Sequence, residues 1–367
     1  MVFTVFPFNC CAGRCALRYC DYIQYLVQLK ARTLATGNIA GFAPPPDLVN
    51  PSIDKPNSIG SFRHDLARWR QLVAAPWLAR LLAGEAVEAA PQGSWRLVEV
   101  GCGGQREFER AHIPGATYLD SGALELPPLF ARVGDPALRA LLLAHGLRHD
   151  TTVILYGRST LAAARAAHLM LYAGLADVRL LDGGYAAWHA RGLPVQSGPA
   201  PLTPAADFGV AFPACPHFLL DLAGARRALR DPGAQLASIR TWSEYTGLTS
   251  GYSYIDACGD IPGALWGHAG REGDVHSMSD YQLADATMRP AGQIEAMWRA
   301  AGIHPARHTA FYCGTGWRAS LAFFYAWLMG WDDISVYDGG WFEWSQDPAN
   351  PVRRAACEAE MAAPGLR

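Results

Sequence analysis

Hydrophobic and polar positions along the chain alternate between strand-like and helix-like patterns. Trp95–Val100 reads as a buried strand that stops at Gly101, and Trp69–Leu82 before it predicts a helix. Further on, a strand, a short loop, a long helix and a second strand follow one another twice, with strands at Val153–Tyr156, Val178–Leu181, Thr309–Tyr312 and Ile334–Tyr337. Such βαβ units predict a mostly parallel sheet covered by helices, which is an α/β fold.

An internal duplication explains this regularity. Residues 144–188, shifted by 156 positions, align with 300–344 without a gap, and the identities include Asp182/Asp338. Ile-Pro-Gly-Ala occurs at 113–116 and again 148 positions later, so the second repeat carries eight more residues in between. We assign them to an insertion within Thr241–Gly259, which either walls a site or forms a plain surface loop.

Breaker-rich stretches divide the chain into domains. The text at Gly41–Gly60 is rich in Pro, Asn and Ser, and Pro194–Pro216 is rich in Pro, Ala and Gly. We therefore predict an N-terminal extension, a first domain, a linker, a second domain and a C-terminal tail, at 1–60, 61–198, 199–217, 218–356 and 357–367.

Composition and charge exclude several classes of protein. With 50% hydrophobic residues the chain can build cores, and a net charge of -2 provides no basic field for nucleic acid. The most apolar windows, such as Ser320–Gly330, have about half of the ~20 residues that a membrane span needs. No basic region precedes an apolar leader, so we expect a cytoplasmic protein, with an exported form as the alternative.

The nine cysteines form neither a disulfide framework nor a metal site in the sequence. Their number is odd and most are scattered. The N-terminal group of Cys10, Cys11, Cys15 and Cys20 lacks the Cys-x2-Cys spacing of zinc sites. We therefore expect no metal and no cofactor.

The loop after the strand Thr309–Tyr312 carries the candidate chemistry. It reads Cys313-Gly314-Thr315-Gly316-Trp317-Arg318 and runs into a predicted helix, Ala319–Met329. Two glycines allow loop amides to converge on an anion, and the helix N-terminus adds positive charge. Amides, helix dipole and Arg318 all favour a thiolate, so Cys313 is predicted to be a nucleophile and residues 314–318 to bind its anionic substrate. In the first repeat Gly157 stands in place of Cys313, so that repeat lacks the nucleophile.

With these residues the chain from about Trp95 to Val352 resembles a tandem-domain rhodanese. The motifs are His112-Ile-Pro-Gly-Ala, Leu181-Asp-Gly-Gly-Tyr-Ala-Ala-Trp, Asp260-Ile-Pro-Gly-Ala, the loop from Cys313 to Arg318, and Tyr337-Asp-Gly-Gly-Trp-Phe-Glu-Trp. The resemblance implies two rhodanese-like domains, of which the first is catalytically silent. It also implies sulfur transfer through a Cys313 persulfide, from a small-molecule donor to cyanide or a thiol, with a protein thiol as a further candidate acceptor.

The loop also bears on the choice of donor. Related phosphatases and arsenate reductases have a loop one residue longer, which disfavours their chemistry here. Arg318 favours thiosulfate; the alternatives are 3-mercaptopyruvate and a sulfur-carrier or binding module without turnover. The resemblance implies that Arg240 binds the donor anion. The alternative is that Arg240 forms a surface ion pair with Glu244.

Other residues are assigned from their local context. Asp182, Asp338, His112 and Asp260 are expected to fix turns. His268 is expected in a polar loop rather than in the pocket. Trp317 and Trp341 are candidates for an aromatic rim, and Arg158 is a candidate anion ligand in the first repeat.

Overall fold

The computed structural model describes residues 62–354, which form two repeats of one topology. Both repeats belong to a single compact unit that begins at Phe62. The predicted extension at 1–60, with its cysteine group, and the predicted tail at 357–367 lie outside the described residues.

The first repeat is a five-stranded parallel sheet with helices on its faces. The strand order is β1-β7-β6-β2-β3, and β4 and β5 form a separate antiparallel hairpin. The strands are β1 Leu72–Val73, β2 Trp95–Gly101, β3 Thr117–Asp120, β4 Glu125–Leu126, β5 Ala131–Arg132, β6 Thr152–Tyr156 and β7 Val178–Leu181. The helices are α1 Ala75–Leu82, α2 Gln105–Arg110, α3 Asp135–Ala144, α4 Thr160–Ala173 and α5 Gly184–His189.

The second repeat has the same arrangement, with strand order β10-β9-β11-β12-β8. Its strands are β8 Leu219–Leu220, β9 Ala234–Ser238, β10 Leu265–Trp266, β11 His308–Tyr312 and β12 Ile334–Tyr337. Its helices are α6 Leu222–Arg230, α7 Trp242–Thr246, α8 Ala291–Ala300, α9 Trp317–Leu328 and α10 Gly340–Gln346. The predicted α/β fold with two tandem domains is confirmed.

One predicted helix, Trp69–Leu82, is wrong. Its residues form a short 3-10 turn at Trp69–Gln71, then β1, and only then α1. Pro76 lies in the first turn of α1, where its missing N–H costs nothing, but its ring disfavours helix in the residues before it. Leu72 pairs with Leu180 of β7 instead, which adds an edge strand to the sheet.

Helices α4 and α9 are packed against each other at the contact between the repeats. Each directly follows the loop at the carboxyl end of the central strand of its sheet. Almost all of their side chains are buried, including Arg165 and Arg318, and this is the burial typical of helices that are apolar on every face. The two loops therefore lie on either side of a shared helical core.

Two aspartates join the repeats in a twofold-like manner. Asp182 accepts a hydrogen bond from the backbone N–H of Met288 at 2.8 Å, and Asp338 accepts one from the backbone N–H of Arg132 at 2.8 Å. Both donors and both acceptors are related by the 156-residue shift. The two aspartates thus hold the opposite repeat, which goes beyond the local turn role expected from the sequence.

The predicted linker at 199–217 packs on the first repeat. Phe208 is fully buried, and the backbone N–H of Cys215 donates to the carbonyl of Tyr172 in α4. Within residues 62–354, none of the helices has the length and apolar character required to span a bilayer.

Candidate active site

Cys313 lies at the carboxyl end of β11, the central strand of the second sheet, and is 1% exposed. Ligands of parallel α/β sheets bind at this edge. After the turn at Gly316, which has φ +90°, helix α9 begins at Trp317. The first N–H groups of α9 have no acceptor inside the helix and can donate to an anion. The cysteine, the turn and the helix N-terminus follow one another in the predicted order.

The insertion at 241–259 walls this loop, which decides between the two alternatives open from the sequence. The Tyr252 hydroxyl accepts a hydrogen bond from the N–H of Gly314 at 3.1 Å. A side chain at position 314 would place its Cβ 2.3 Å from Cζ of Tyr252, so the close approach requires glycine. Tyr252 therefore occupies one donor of the predicted anion cradle.

Arg318 is buried, and its charge is balanced by a residue that the sequence analysis missed as a partner. Its two terminal nitrogens lie 2.8 Å from the two carboxylate oxygens of Glu244. Burial alone would raise the pKa of Glu244, but the guanidinium of Arg318, assisted by Arg240, lowers it to about 2. Arg318 is thus fixed in place by this bidentate pair. It also donates a hydrogen bond to the Tyr252 hydroxyl, which contacts the loop at Gly314.

Arg240 lies beneath the same cluster and is fully buried. Its guanidinium is 3.6 Å from Glu244 and 3.4 Å from Asp260, and it donates to the carbonyl of Gly259 at 2.7 Å. The pair with Glu244 that the sequence suggested does form, but in the interior rather than on the surface. Whether Arg240 binds a donor is a question for the function proposed below.

The two carboxyl groups of this cluster differ in their environment. Burial raises the pKa of Asp260, which accepts hydrogen bonds from the hydroxyls of Ser238 and Tyr312, whereas Glu244 is fully ionised. The two guanidinium groups of Arg318 and Arg240 therefore lie buried beside the Cys313 loop, each next to a carboxyl group. Nε of Arg240 and Nε of Arg318 have no hydrogen-bond partner among the described residues, so each retains a donor.

The first repeat supplies a second buried charge cluster on the other side of the loop. Arg165 of α4 donates to Glu125 at 3.0 Å and to Asp338 at 2.6 Å. Glu125 also accepts from the indole N–H of Trp317 at 2.8 Å. Burial raises the pKa of Glu125 to about 7, although Arg165 opposes the shift. A Cβ at Gly316 would lie 3.0 Å from Nη1 of Arg165, so this residue touches the turn itself.

Aromatic side chains from both repeats stand over the loop. Tyr254 lies beside Thr315 and packs against three other rings, those of Tyr252, Phe342 and Phe130, at centroid distances of 5.5, 5.7 and 5.4 Å. Of the two predicted rim residues, Trp317 is half-buried at the mouth. Trp341 is fully buried, and its indole N–H donates to the carbonyl of Ala257. Its assignment to the rim is therefore wrong.

The corresponding loop of the first repeat is closed. Arg158 pairs with Glu99 at 3.0 Å and donates to the carbonyl of Ala111, so it is engaged in structural bonds instead of facing an anion. The cavity beside Gly157 holds about 10 Å³, room for roughly one water. Gln282 from the second repeat fills its mouth and bonds to Thr160.

The remaining assigned residues lie outside the chemistry. His112 bonds to the carbonyl of Phe108 and stacks on its ring. His268 stacks on Trp266 and lies 3.6 Å from Asp280, in agreement with the predicted loop role. Within residues 62–354 no cluster of three His, Cys, Asp or Glu side chains is placed to hold a metal ion.

Some site residues left only weak signals in the sequence. Thr241-x-x-Glu244 is a capping-box pattern, and the structure does form that cap, so the same glutamate caps α7 and pairs with Arg318. Arg165 is a charged residue in an otherwise apolar helix, which marks a buried ion pair but names no partner. Tyr252, Tyr254 and Glu125 come from segments whose contacts are long-range.

A family model of the rhodanese-like domain matches residues 82–191 and 222–347. The chain belongs to the rhodanese family. Each match contains four of the five strands of one parallel sheet, which confirms the resemblance drawn from the sequence motifs.

Two sulfurtransferases are similar to this protein over most of the chain. It is 50% identical over 306 residues to thiosulfate sulfurtransferase YnjE of Escherichia coli, covering 83% of this chain and 69% of YnjE. The crystal structure of YnjE superposes with a TM-score of 0.77 and 52% identity over 79% of this chain and 70% of that chain. A "probable 3-mercaptopyruvate sulfurtransferase" of Pseudomonas aeruginosa is 34% identical, over 68% of this chain and 86% of its own.

A third relative has been solved with a bound small molecule. EanB, solved with a cysteine persulfide and ergothioneine, has a TM-score of 0.76 and 38% identity over 79% of this chain and 72% of that chain. Other EanB structures carry a substituted tyrosine or a substituted threonine. That tyrosine precedes the persulfide cysteine by the same number of residues that separates Tyr254 from Cys313, and that threonine follows it by two, as Thr315 follows Cys313.

Proposed function

We propose that this protein is a thiosulfate sulfurtransferase in which Cys313 carries the transferred sulfur. The thiolate attacks the outer sulfur of thiosulfate, the sulfur–sulfur bond of the donor breaks, and sulfite leaves with the electron pair. Cyanide or a thiolate then attacks the terminal sulfur of the Cys313 persulfide, and the Cys313 thiolate is released. The 50% identity to a thiosulfate sulfurtransferase supports the reaction class.

The observation that carries the proposal is the placement of Cys313 between the end of β11 and the N-terminus of α9, with the buried guanidinium of Arg318 in the first turn of that helix. A preorganised positive field stabilises the thiolate, the persulfide anion and the departing sulfite without reorganisation during the reaction. In this proposal loop amides 314–318 and the guanidinium groups of Arg318 and Arg240 bind the anion. Tyr252, which holds the Gly314 amide, exchanges places with the sulfonate oxygen.

Intact mass spectrometry tests this proposal. Incubation with thiosulfate should add one sulfur atom to the protein, and cyanide should remove it, whereas Cys313→Ser should gain nothing. Cys215→Ser is the matched control, because Cys215 is a thiol away from the loop, and it should load as the wild type does. Loading by 3-mercaptopyruvate but not by thiosulfate would change the donor; loading without release to cyanide or small thiols would indicate a sulfur carrier.

The EanB likeness supports a second candidate acceptor. EanB structures hold hercynine or ergothioneine, and this chain has Tyr254 and Thr315 at the matching spacings and side by side. In this reaction a ring carbon of an N-methylated histidine would exchange its hydrogen for the terminal sulfur of the persulfide, releasing the Cys313 thiol. Mixing the loaded protein with hercynine and measuring the product mass tests it; loss of the persulfide to cyanide but not to hercynine would exclude it.

A further inference from the structure

The hairpin of β4 and β5, residues 125–132, reaches from the first repeat to the mouth of the Cys313 loop. We call it the strap. At one end Glu125 accepts from the indole N–H of Trp317 at 2.8 Å. At the other end the backbone N–H of Arg132 donates to Asp338 at 2.8 Å. Both ends are thus fastened to the second repeat, and the turn between them is held over its loop.

The tip of the strap is an aromatic residue, Phe130. Its ring meets Tyr254 edge-on with a centroid distance of 5.4 Å, and Tyr254 lies beside Thr315, two residues after the cysteine. Phe130 and Tyr254 are half-buried, while Cys313 is 1% exposed. Two half-buried rings in contact with each other thus lie beside the loop that carries the buried cysteine.

The backbone at the tip has a conformation that both repeats share, although the residue that adopts it differs. Phe130 has φ +56°, a region that bulky residues rarely adopt. The equivalent residue of the second repeat, Ala286, has φ +62° and closes the cavity of the first repeat. The strap shape is thus common to both repeats, but only the one over the cysteine presents a phenyl ring at this position.

We propose that Phe130, from the repeat without the cysteine, is a specificity-determining residue that limits the size of the acceptor. This rests on the proposed function of Cys313. The ring admits cyanide and small or flat acceptors to the persulfide and obstructs bulky thiols such as glutathione. When glutathione does react, its thiolate takes the terminal sulfur, forming glutathione persulfide, and the Cys313 thiolate leaves.

Single-turnover discharge of the persulfide tests this role. Wild type and Phe130→Ala are loaded with thiosulfate, checked by intact mass, and mixed separately with cyanide and glutathione. Removing a phenyl ring from a size filter should raise the ratio of the glutathione rate to the cyanide rate by about tenfold or more. The cyanide rate itself should stay within about twofold, as a small linear anion already passes.

Three further variants separate the ring from the backbone and from folding. Phe130→Gly relieves the positive φ and removes the ring, so it should match Phe130→Ala; Phe130→Leu should restore part of the discrimination. Leu126→Ala is the control, because that side chain is on the same strap but 55% exposed, and its rate ratio should equal that of the wild type.

The outcomes distinguish the inference from the function on which it rests. Failure of the wild type to load sulfur would contradict the proposed function. Normal loading with an unchanged rate ratio in Phe130→Ala would overturn the inference, as would a parallel fall of both rates accompanied by a lower melting temperature, which indicates a purely structural ring.

Discussion

At the scale of single residues, the candidate site depends on two buried arginines that a shared glutamate holds in place. Arg318 is held by Glu244 in a bidentate pair, and Arg240 shares the same carboxylate. The cysteine loop therefore sits on rigid guanidinium groups that are already desolvated, the arrangement in which a fixed positive charge acts most strongly on a forming anion. Loop glycines allow the backbone to come this close.

The contact between Gly314 and Tyr252 gives a prediction at this scale. In Gly314→Ala the new Cβ would lie 2.3 Å from Cζ of the Tyr252 ring, so the tyrosine and the loop must separate. We expect persulfide loading from thiosulfate to slow by at least about a hundredfold, the order seen when a reacting group is misplaced by an ångström. Rapid-mixing mass spectrometry measures the loading rate.

Gly292→Ala is the matched control for that change. Nothing lies within 4 Å of a Cβ at Gly292 in α8, so loading should be unchanged and stability equal or higher by up to about 1 kcal/mol. The double variant Gly314→Ala with Tyr252→Ala removes the clash and should recover part of the loading rate. Equal loading by Gly314→Ala and wild type would show that the tyrosine contact is dispensable.

At the scale of elements, helix α4 of the first repeat is tied to the Cys313 loop by Arg165. This guanidinium is fully buried between Glu125 of the strap and Asp338 at the end of β12, and it touches the turn at Gly316. Removing one partner of a buried pair leaves an uncompensated charge. The strap, the helix and the loop therefore depend on one side chain.

Arg165→Met should consequently lower the free energy of unfolding by about 3–5 kcal/mol, measured by urea denaturation. Leu321→Met is the control, because Leu321 of α9 is the equivalent of Arg165 under the 156-residue shift and is equally buried. This volume-conserving change should cost less than about 1.5 kcal/mol. Similar losses in the two variants would mean that Arg165 acts only by filling space.

Much of this element structure could be predicted, because the duplication tests each pattern twice. The strands at 153–156 and 309–312 and the helix after Cys313 lie within two residues of their predicted bounds. The misassigned helix before Ala75 failed where a proline overrode an apolar pattern. The partners of Arg318 and Arg165 could not be read from the sequence, since Glu244 and Asp338 are 74 and 173 residues away and only folding brings them together.

At the scale of the whole molecule, the same topology has a different role in each repeat. Each repeat extends a segment over the loop of the other and anchors it on an equivalent aspartate, Asp182 or Asp338. Over the first loop that segment completes a nearly filled core; over the second it brings the rings of the strap and the Arg165 cluster to a nucleophile. The repeat without the cysteine thus contributes wall and charge to the site.

The two anchoring aspartates differ in charge compensation, which leads to a test of this twofold-like relation. Asp338 is bonded to Arg165, whereas Asp182 faces Arg63 at a distance, is near the like charge of Asp285, and has its pKa raised by burial to about 7. Because the pKa of Asp182 in the folded state lies above the ordinary 3.8, binding of a proton to this carboxyl stabilises the folded protein. That stabilisation is lost as pH rises from about 4 through 7.

In Asp182→Asn the amide keeps an acceptor for the Met288 N–H without the charge. We therefore expect wild type and variant to have similar unfolding free energies near pH 4 and the variant to be more stable near pH 8, as measured by urea denaturation across that range. Persulfide loading should be unchanged, because Asp182 serves the repeat without the cysteine. Glu295→Gln, which alters an exposed pair with Arg299, should follow the wild-type pH curve. A variant less stable at pH 8 would show instead that the charge of Asp182 holds the repeats together.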